Sequence, residues 1–364
     1  MKLLVISLCT QGVMKEHFIY YCRGFAKSNE LYCITNDNIT NEELHAKQTL
    51  NLKYDRSNPF GYFSILKLMK MKKYISEINP DIVYVFTHHA SSLLIPPIIK
   101  KYKVVYQVHD PVPHLGVGKL NAYIIRKQLG LYSKLADFLV VAGEAVKSQV
   151  LMNYNVAAEK IKVIPFAVLD NYINDNVDKS KENIDILFFG RIEQYKGIDT
   201  LFDALNLMQT KPITYIAGKG DIKKVYPNIE KIPDNVNILG FVEDQQLISY
   251  IKACKLVVLP YHEATGTMTV CQVFYYGCPV IASNVGVFPE YVQDAGIIFE
   301  HGNAKMLANS IENLLADTDQ LKKMSKRAKE IYLENFRIEN ACLMHQELFV
   351  ELANKGDETH GKKS

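Results

Sequence analysis

The chain has 364 residues, with 42 Lys plus Arg against 39 Asp plus Glu and a formal net charge of +3. Hydrophobic residues at 48% and charged residues at 22% exclude a disordered or fibrous chain, and the length fits two domains of ordinary size. No apolar run approaches the roughly 18 residues of a membrane span, and the opening run 3–8 is too short for a signal peptide, so a cytoplasmic protein is expected. Seven cysteines without a C-x-x-C pair point to buried thiols rather than to a disulfide framework or a metal site.

Short β-branched and aromatic runs predict strands at 3–8, 31–35, 82–86, 104–108, 138–141 and 161–164. A second series follows at 184–189, 213–217, 236–239, 256–260, 279–282 and 297–299. The runs are almost continuously apolar, the pattern of strands buried on both faces of a parallel sheet. Amphipathic segments lie between them, such as 199–208 with Leu201, Leu205 and Met208 at helical spacing. This alternation predicts an α/β protein of two doubly wound, Rossmann-like units. A polar Asn/Asp-rich stretch interrupts it, so the expected boundaries are an N-terminal domain at 1–167, a linker at 168–183, a C-terminal domain at 184–345, and a helix end with a polar tail at 346–364.

The near-neutral total hides two halves of opposite sign: 1–168 carries +9 and 169–364 carries −6. Within the basic half, 63–78 predicts a helix with Ile65, Leu68, Ile75 and Ile78 on one face and Lys67, Lys70 and Lys73 on another. It reads either as a core helix with a solvated side or as a peripheral contact for anionic lipid headgroups. No aromatic–basic stacking motif accompanies the charge, which argues against a nucleic-acid partner.

Ligands of doubly wound sheets bind at the carboxyl ends of the strands, so the loops there are the candidate sites. The first is Phe188-Phe-Gly-Arg-Ile-Glu-Gln-Tyr-Lys-Gly197, where Arg191 and Lys196 sit before a predicted helix N-terminus. Two cations there suit a phosphate or diphosphate, unless the loop is simply a solvated surface. The second runs from Leu259 through His262-Glu-Ala-Thr-Gly-Thr-Met-Thr269 to Ser283. Its turn, with Gly266 and Met268 between Thr265, Thr267 and Thr269, could cradle phosphate oxygens, and Glu263 could accept from sugar hydroxyls. A threonine-rich helix cap is the plainer alternative.

Other signals are negative. Gly218-Lys-Gly220 lacks the third glycine of a dinucleotide fingerprint, and no Walker-type loop occurs, so dehydrogenase and NTPase readings fail. Asp317-Thr-Asp319 reads as helix punctuation. In the first half, Val104-Val-Tyr-Gln-Val-His-Asp110 ends a predicted strand in His109 and Asp110; His88, His89 and His114 are weaker candidates. Gly12, in the loop after the first strand, would let the backbone approach a ligand.

The two second-half loops, in this order, resemble the glycosyltransferases of family 4 (group 1), whose GT-B fold sets two Rossmann-like domains facing across a cleft. The likeness extends over Ile213-Thr-Tyr-Ile-Ala-Gly-Lys-Gly-Asp221, Val236-Asn-Ile-Leu-Gly-Phe-Val-Glu243 and Pro279-Val-Ile-Ala-Ser-Asn-Val-Gly-Val-Phe-Pro-Glu290. It implies that Arg191, Lys196 and the backbone of Thr267, Met268 and Thr269 hold the donor diphosphate. Gly218 then belongs to the family's glycine turn, while Phe241 and Val242 line the base pocket. His109, with Asp110 beside it, faces the transferred sugar. One departure stands out: Gln272 occupies the place of the second of two paired glutamates, and Glu263 lies one residue ahead of the first. Glutamine still hydrogen-bonds a ribose diol, as a weaker, uncharged acceptor.

The implied activity is hexosyl transfer, metal-independent, without a cofactor and retaining, in polysaccharide biosynthesis. The donor would be a UDP- or GDP-linked sugar and the acceptor a glycan or lipid-linked glycan. The basic half would work against an anionic membrane at the inner face of the cell. A nucleotide-sugar epimerase of the same architecture and a non-catalytic sugar-nucleotide-binding partner share these residues and remain open.

Overall fold

Twelve of the apolar runs become strands, and each pairs in parallel with its neighbours. The computed structural model describes residues 1–8, 13–53, 64–86, 90–114, 117–168, 173–229 and 232–355. Among these the backbone groups into two units, the first taking in 1–113, 117–165 and the stretch from 338 on, the second His114 and 166–337.

The first unit alternates β1 (Lys2–Ser7), α1 (Val13–Ala26), β2 (Glu30–Thr35), α2 (Asn41–Leu44), β3 (Gln48–Asn51), α3 (Ile65–Ile78), β4 (Ile82–Val85), α4 (Pro96–Ile99), β5 (Lys103–Gln107), α5 (Lys119–Leu135), β6 (Phe138–Val141), α6 (Glu144–Asn153) and β7 (Ile161–Val163). Its seven-stranded sheet has the order β3-β2-β1-β4-β5-β6-β7. Strands β1 and β4 are almost wholly buried at its centre, which is why their sequences carry no alternation. β3 is absent from the sequence-based expectation because it is a polar edge strand, Gln-Thr-Leu-Asn, that pairs only with β2 and is at best half-buried. The short α2 is held by a capping box, Thr40 accepting from the Glu43 N–H at 3.1 Å and Glu43 accepting from the Thr40 N–H at 2.8 Å.

The second unit contains β8 (Ile186–Phe189), α7 (Ile198–Leu207), β9 (Thr214–Ala217), α8 (Ile222–Val225), β10 (Val236–Gly240), α9 (Asp244–Ala253), β11 (Leu256–Leu259), α10 (Thr269–Tyr275), β12 (Val280–Ser283), α11 (Phe288–Val292), β13 (Gly296–Phe299), α12 (Ala304–Ala316) and α13 (Thr318–Ile331). Its sheet order is β10-β9-β8-β11-β12-β13. Asp317 caps α13, accepting from the N–H groups of Asp319 (3.1 Å) and Gln320 (2.8 Å), so Asp317-Thr-Asp319 is helix punctuation.

The last helix, α14 (Ile338–Asn354), packs on α1 in the first unit, whereas the sequence-based boundary kept residues up to 345 with the second domain. Aromatic packing accounts for the difference. His345 and Phe349 of α14 lie against Tyr21 and Phe25 of α1 and Tyr84 of β4, with ring centroids 5.4–5.6 Å apart. Lys162 pairs with Glu351 at 2.9 Å, and Asn29 donates to Gln346 at 2.6 Å. With everything from 338 on assigned to the first unit, the charge split becomes +7 and −4, the same in sign as expected but smaller.

His345 is buried, its Nδ1–H donating to the Ala341 carbonyl at 2.7 Å and its Nε2 facing the Tyr84 hydroxyl at 2.9 Å. Burial pulls its pKa down to about 4, with the hydrogen bond to the Ala341 carbonyl opposing the shift. Between that value and the ordinary 6.5 the unfolded chain binds a proton that the folded chain does not, so stability falls as pH drops through this window. Thermal melts of the wild type should lose stability from pH 6.5 towards 4, and His345→Gln should flatten that slope. Parallel slopes in the two proteins would contradict it.

Candidate active site in the second unit

The strand β8 ends in Gly190 (φ +125°), and the loop behind it carries Arg191 and Lys196 before Gly197 opens α7. Arg191 is exposed and approaches Glu193 at 3.7 Å. Lys196 behaves differently. Its Nζ donates to the Tyr261 hydroxyl at 2.6 Å and lies 3.8 Å from the centroid of that ring and 5.1 Å from that of Tyr195. Desolvation pulls its pKa down to about 7, repulsion from Arg191 adds to the fall, and attraction to Glu193 offsets part of it. The ammonium is thus held by π faces and a neutral phenol, a setting that an incoming anion would improve.

Two glycines make the loop close. At Gly197 (φ +66°) an added Cβ would meet the Pro260 carbonyl oxygen at 1.8 Å, which presses the Lys196 loop onto the end of β11. At Gly218 the same atom would meet the Gly190 carbonyl oxygen at 1.8 Å, and the Gly218 N–H donates to the Gly240 carbonyl at 2.7 Å. The carboxyl ends of β8, β9 and β10 are thereby drawn together, with Phe241 exposed and Val242 half-buried just beyond.

The loop after β11 begins with Tyr261, buried, whose oxygen the Thr269 side chain also reaches. Lys196 and Thr269, expected separately from the sequence, therefore meet on one tyrosine. His262 donates its backbone N–H to the Tyr195 carbonyl at 2.8 Å and places Nε2 3.0 Å from Asp199. Glu263 pairs with His114 at 3.5 Å, and the His114 ring stacks on Tyr195 with centroids 4.9 Å apart. Gly266, Thr267 and Met268 are half-buried in the turn, and the Thr267 hydroxyl accepts from the Thr269 N–H at 3.1 Å. Gln272 is buried within α10.

One sequence-based expectation is corrected. The N-terminus of α7 does not offer its first N–H to an anion: the Ile198 N–H donates to the Tyr226 hydroxyl at 3.3 Å, and Tyr226 donates onward to the Glu193 carbonyl at 2.7 Å. Asp199 in its first turn further opposes an anion there. Beside α7 opens a cavity of about 580 Å³ whose lining includes Asp199, Asp203, Tyr226 and His262 and none of the residues expected to bind a donor.

In the first unit His109 and Asp110 follow β5. The His109 Nε2–H donates to the Phe86 carbonyl at 2.8 Å, and the ring meets Phe86 edge-on at 6.2 Å. Gly12, His88 and His89 lie outside the described residues. Tyr195, Tyr261, His262 and Tyr226 escaped the sequence reading because no motif marks them. The only available signal was their position in or next to loops after predicted strands.

The chain matches the profile described as "Glycosyl transferases group 1" over residues 171–331, and that of "Glycosyltransferase Family 4" over 15–168. It belongs to the group 1 glycosyltransferases. A protein of the cps region of Klebsiella pneumoniae is 28% identical over 206 residues, 54% of this chain and 56% of that one, so the chain spans little more than half of this relative's length. The serotype-specific mannosyltransferase WbdA of Escherichia coli is 25% identical over 276 residues, 67% of this chain and 33% of that protein. The crystal structure of Anabaena HepE in complex with UDP and glucose superimposes with a TM-score of 0.75 at 18% identity, covering 96% of this glycosyltransferase and 100% of HepE. The fold is GT-B.

Two features of the site have measurable effects on stability. Lys196 titrates below the 10.5 of a free lysine, so the folded state carries a penalty that is full at and below pH 7 and fades towards pH 10. Lys196→Met should therefore raise the melting temperature of the ligand-free enzyme at pH 7, by a margin that shrinks as pH rises. A lower melting temperature at pH 7 would contradict this. The hydrogen bond that His262 donates to Asp199 raises the His262 pKa; burial drives Asp199 up, but His262 and the backbone N–H groups outweigh it and leave Asp199 low. The half-exposed pair is worth about 1 kcal/mol at most. It is present below pH 6.5, lost as pH rises through the raised His262 value, and lost again in acid as Asp199 protonates. His262→Gln should cost stability at pH 5.5 and nothing at pH 9; an equal cost at both would remove the ion pair from the account.

Proposed function

We propose that this glycosyltransferase moves a hexose from a UDP- or GDP-linked sugar to a glycan or lipid-linked glycan acceptor, without a metal and with retention of anomeric configuration. The observation that carries the reading is Lys196, a desolvated ammonium whose hydrogen-bond partner is a neutral phenol, on a loop closed against the ends of neighbouring strands. Breaking the bond between the anomeric carbon and the diphosphate builds negative charge on the leaving oxygen. Lys196, already placed and dry, stabilises that charge together with Arg191, and preorganised charge is usually the largest single contribution to such catalysis. Because Tyr261 holds the ammonium beforehand, little reorganisation is needed when the charge develops.

Around this pair, Gly218, whose close approach to Gly190 shapes the loop, is assigned to the diphosphate, and Phe241 with Val242 to the base. Gln272 is assigned to the ribose, Glu263 to the sugar hydroxyls, and the backbone of Gly266, Thr267, Met268 and Thr269 to the phosphate oxygens. His109, supported by Asp110, is assigned to the transferred sugar; its Nε2–H is committed to the Phe86 carbonyl, which fixes the ring in one tautomer. UDP in the HepE crystal and the mannosyl transfer named for WbdA support a nucleotide-sugar donor and a polysaccharide setting.

Thermal-shift titration against a panel of UDP- and GDP-sugars reads donor binding, since a ligand of the native state raises its stability. One or more should raise the melting temperature, and Arg191→Ala and Lys196→Ala should abolish the shift. Both variants binding and transferring like the wild type would overturn the proposal. Conversion of the donor in acceptor-free mixtures would replace it with an epimerase. A proton uptake on donor binding at pH 8, read by calorimetry in buffers of different ionisation enthalpy, should accompany recharging of Lys196 and vanish in Lys196→Met.

A further inference from the structure

The cavity beside α7 is lined by none of the residues assigned to the donor, and its chemistry differs from theirs. Asp199, Asp203 and Asn206 are spaced four and three residues apart on α7, so successive turns present them on one face. Gln194, from the turn before that helix, and Asn228, just past α8, extend the polar lining. Phe202, Val225 and Ile229 add apolar surface. The volume of about 580 Å³ falls within the usual range of small-ligand sites.

Charge and hydrogen bonding narrow the choice of occupant. Among the described residues no lysine or arginine lines the cavity, and its one imidazole, His262, is already bound to Asp199 at 3.0 Å. A phosphate or a nucleotide would meet carboxylates with no free cation to offset them. An ammonium would use the carboxylates but would set its N–H groups against the amide N–H groups of Gln194, Asn206 and Asn228. A sugar hydroxyl both donates and accepts, so it suits carboxylates and amides alike. Among the described residues these three amides and the Asp203 carboxylate spend no hydrogen bond on the protein itself, which leaves them available to a ligand.

We infer that this groove binds neutral sugar residues of a glycan, at a place separate from the donor site. Planar carboxylate and amide groups take neighbouring hydroxyls in pairs, and Val225 and Ile229 offer apolar surface to the C–H face of a ring. Two lining residues also hold the loop that carries Lys196. The Tyr226 hydroxyl donates to the Glu193 carbonyl at 2.7 Å, and the His262 N–H donates to the Tyr195 carbonyl at 2.8 Å. A glycan seated here is therefore anchored next to the loop assigned to transfer without occupying it. An enzyme that extends a polymer gains from such a hold, because a tethered chain returns at high effective concentration. That use rests on the proposed reaction, but the binding does not: sugar binding without any nucleotide-sugar binding would keep this inference and overturn the other.

Methyl NMR of the full chain, labelled at Ile and Val, reads the groove directly through Val225 and Ile229. The probes are neutral trisaccharides of glucose, galactose, mannose and rhamnose, with spermidine as the cationic control. At least one trisaccharide should move both methyl signals saturably. Asp203→Ala should weaken that binding by about tenfold and Asn228→Ala by about threefold, and since both side chains are exposed neither change should lower the melting temperature. Lys196→Ala should leave the sugar titration as it is, because Lys196 does not line the groove. The inference is overturned if no trisaccharide moves these signals, whether or not spermidine does, or if Asp203→Ala and Asn228→Ala both bind the sugar as the wild type does.

Discussion

Parallel pairing constrains everything else in this molecule. Two parallel strands cannot be joined by a hairpin, so within each sheet every strand but the last in sequence hands over to a crossover, and the loops that leave the carboxyl ends gather along one edge of each sheet. The loops of the candidate site are far apart in sequence: Lys196 follows β8, Gly218 follows β9, Phe241 follows β10 and Tyr261 follows β11. They meet because β10, β9, β8 and β11 are consecutive in the sheet. The glycines at 197 and 218 then permit backbone-to-backbone approaches that any side chain would block.

On that frame the site holds an electrostatic imbalance in place. A lysine stripped of water and held by a phenol is less stable than the same lysine in solvent, and the surrounding core bears the difference. Functional sites often retain such costs because the ligand removes them. The acidic balance of the second unit makes the point stronger: its overall field does not attract an anion, so any anionic ligand of this unit would have to be recognised by a few local groups.

Much of this was legible beforehand, and the misses have physical reasons. Continuous apolar runs mark buried parallel strands, so twelve strands were readable, whereas the polar edge strand Gln48–Asn51 leaves no such trace. Arg191, Lys196 and the threonine turn stood out by type and position after strands. Tyr261 did not, because a tyrosine after a strand looks like core until its hydroxyl is seen to receive Lys196. Ile65 was misplaced because helical spacing cannot tell a first turn that packs from one that protrudes. The capping of α7 by Tyr226, 28 residues away, is a tertiary event with no local signature.

The return of α14 to the first unit bears on how the chain is made. A ribosome delivers residues 1–165 long before it delivers His345 and Phe349, so the aromatic side chains of Tyr21, Phe25 and Tyr84 must wait, uncovered, while the whole second unit is synthesised. The second unit, continuous from 166 to 337 apart from His114, can close its own core in the meantime. The order of completion is therefore the reverse of the order of synthesis. A nascent first unit is the species on which chaperones and proteases would act.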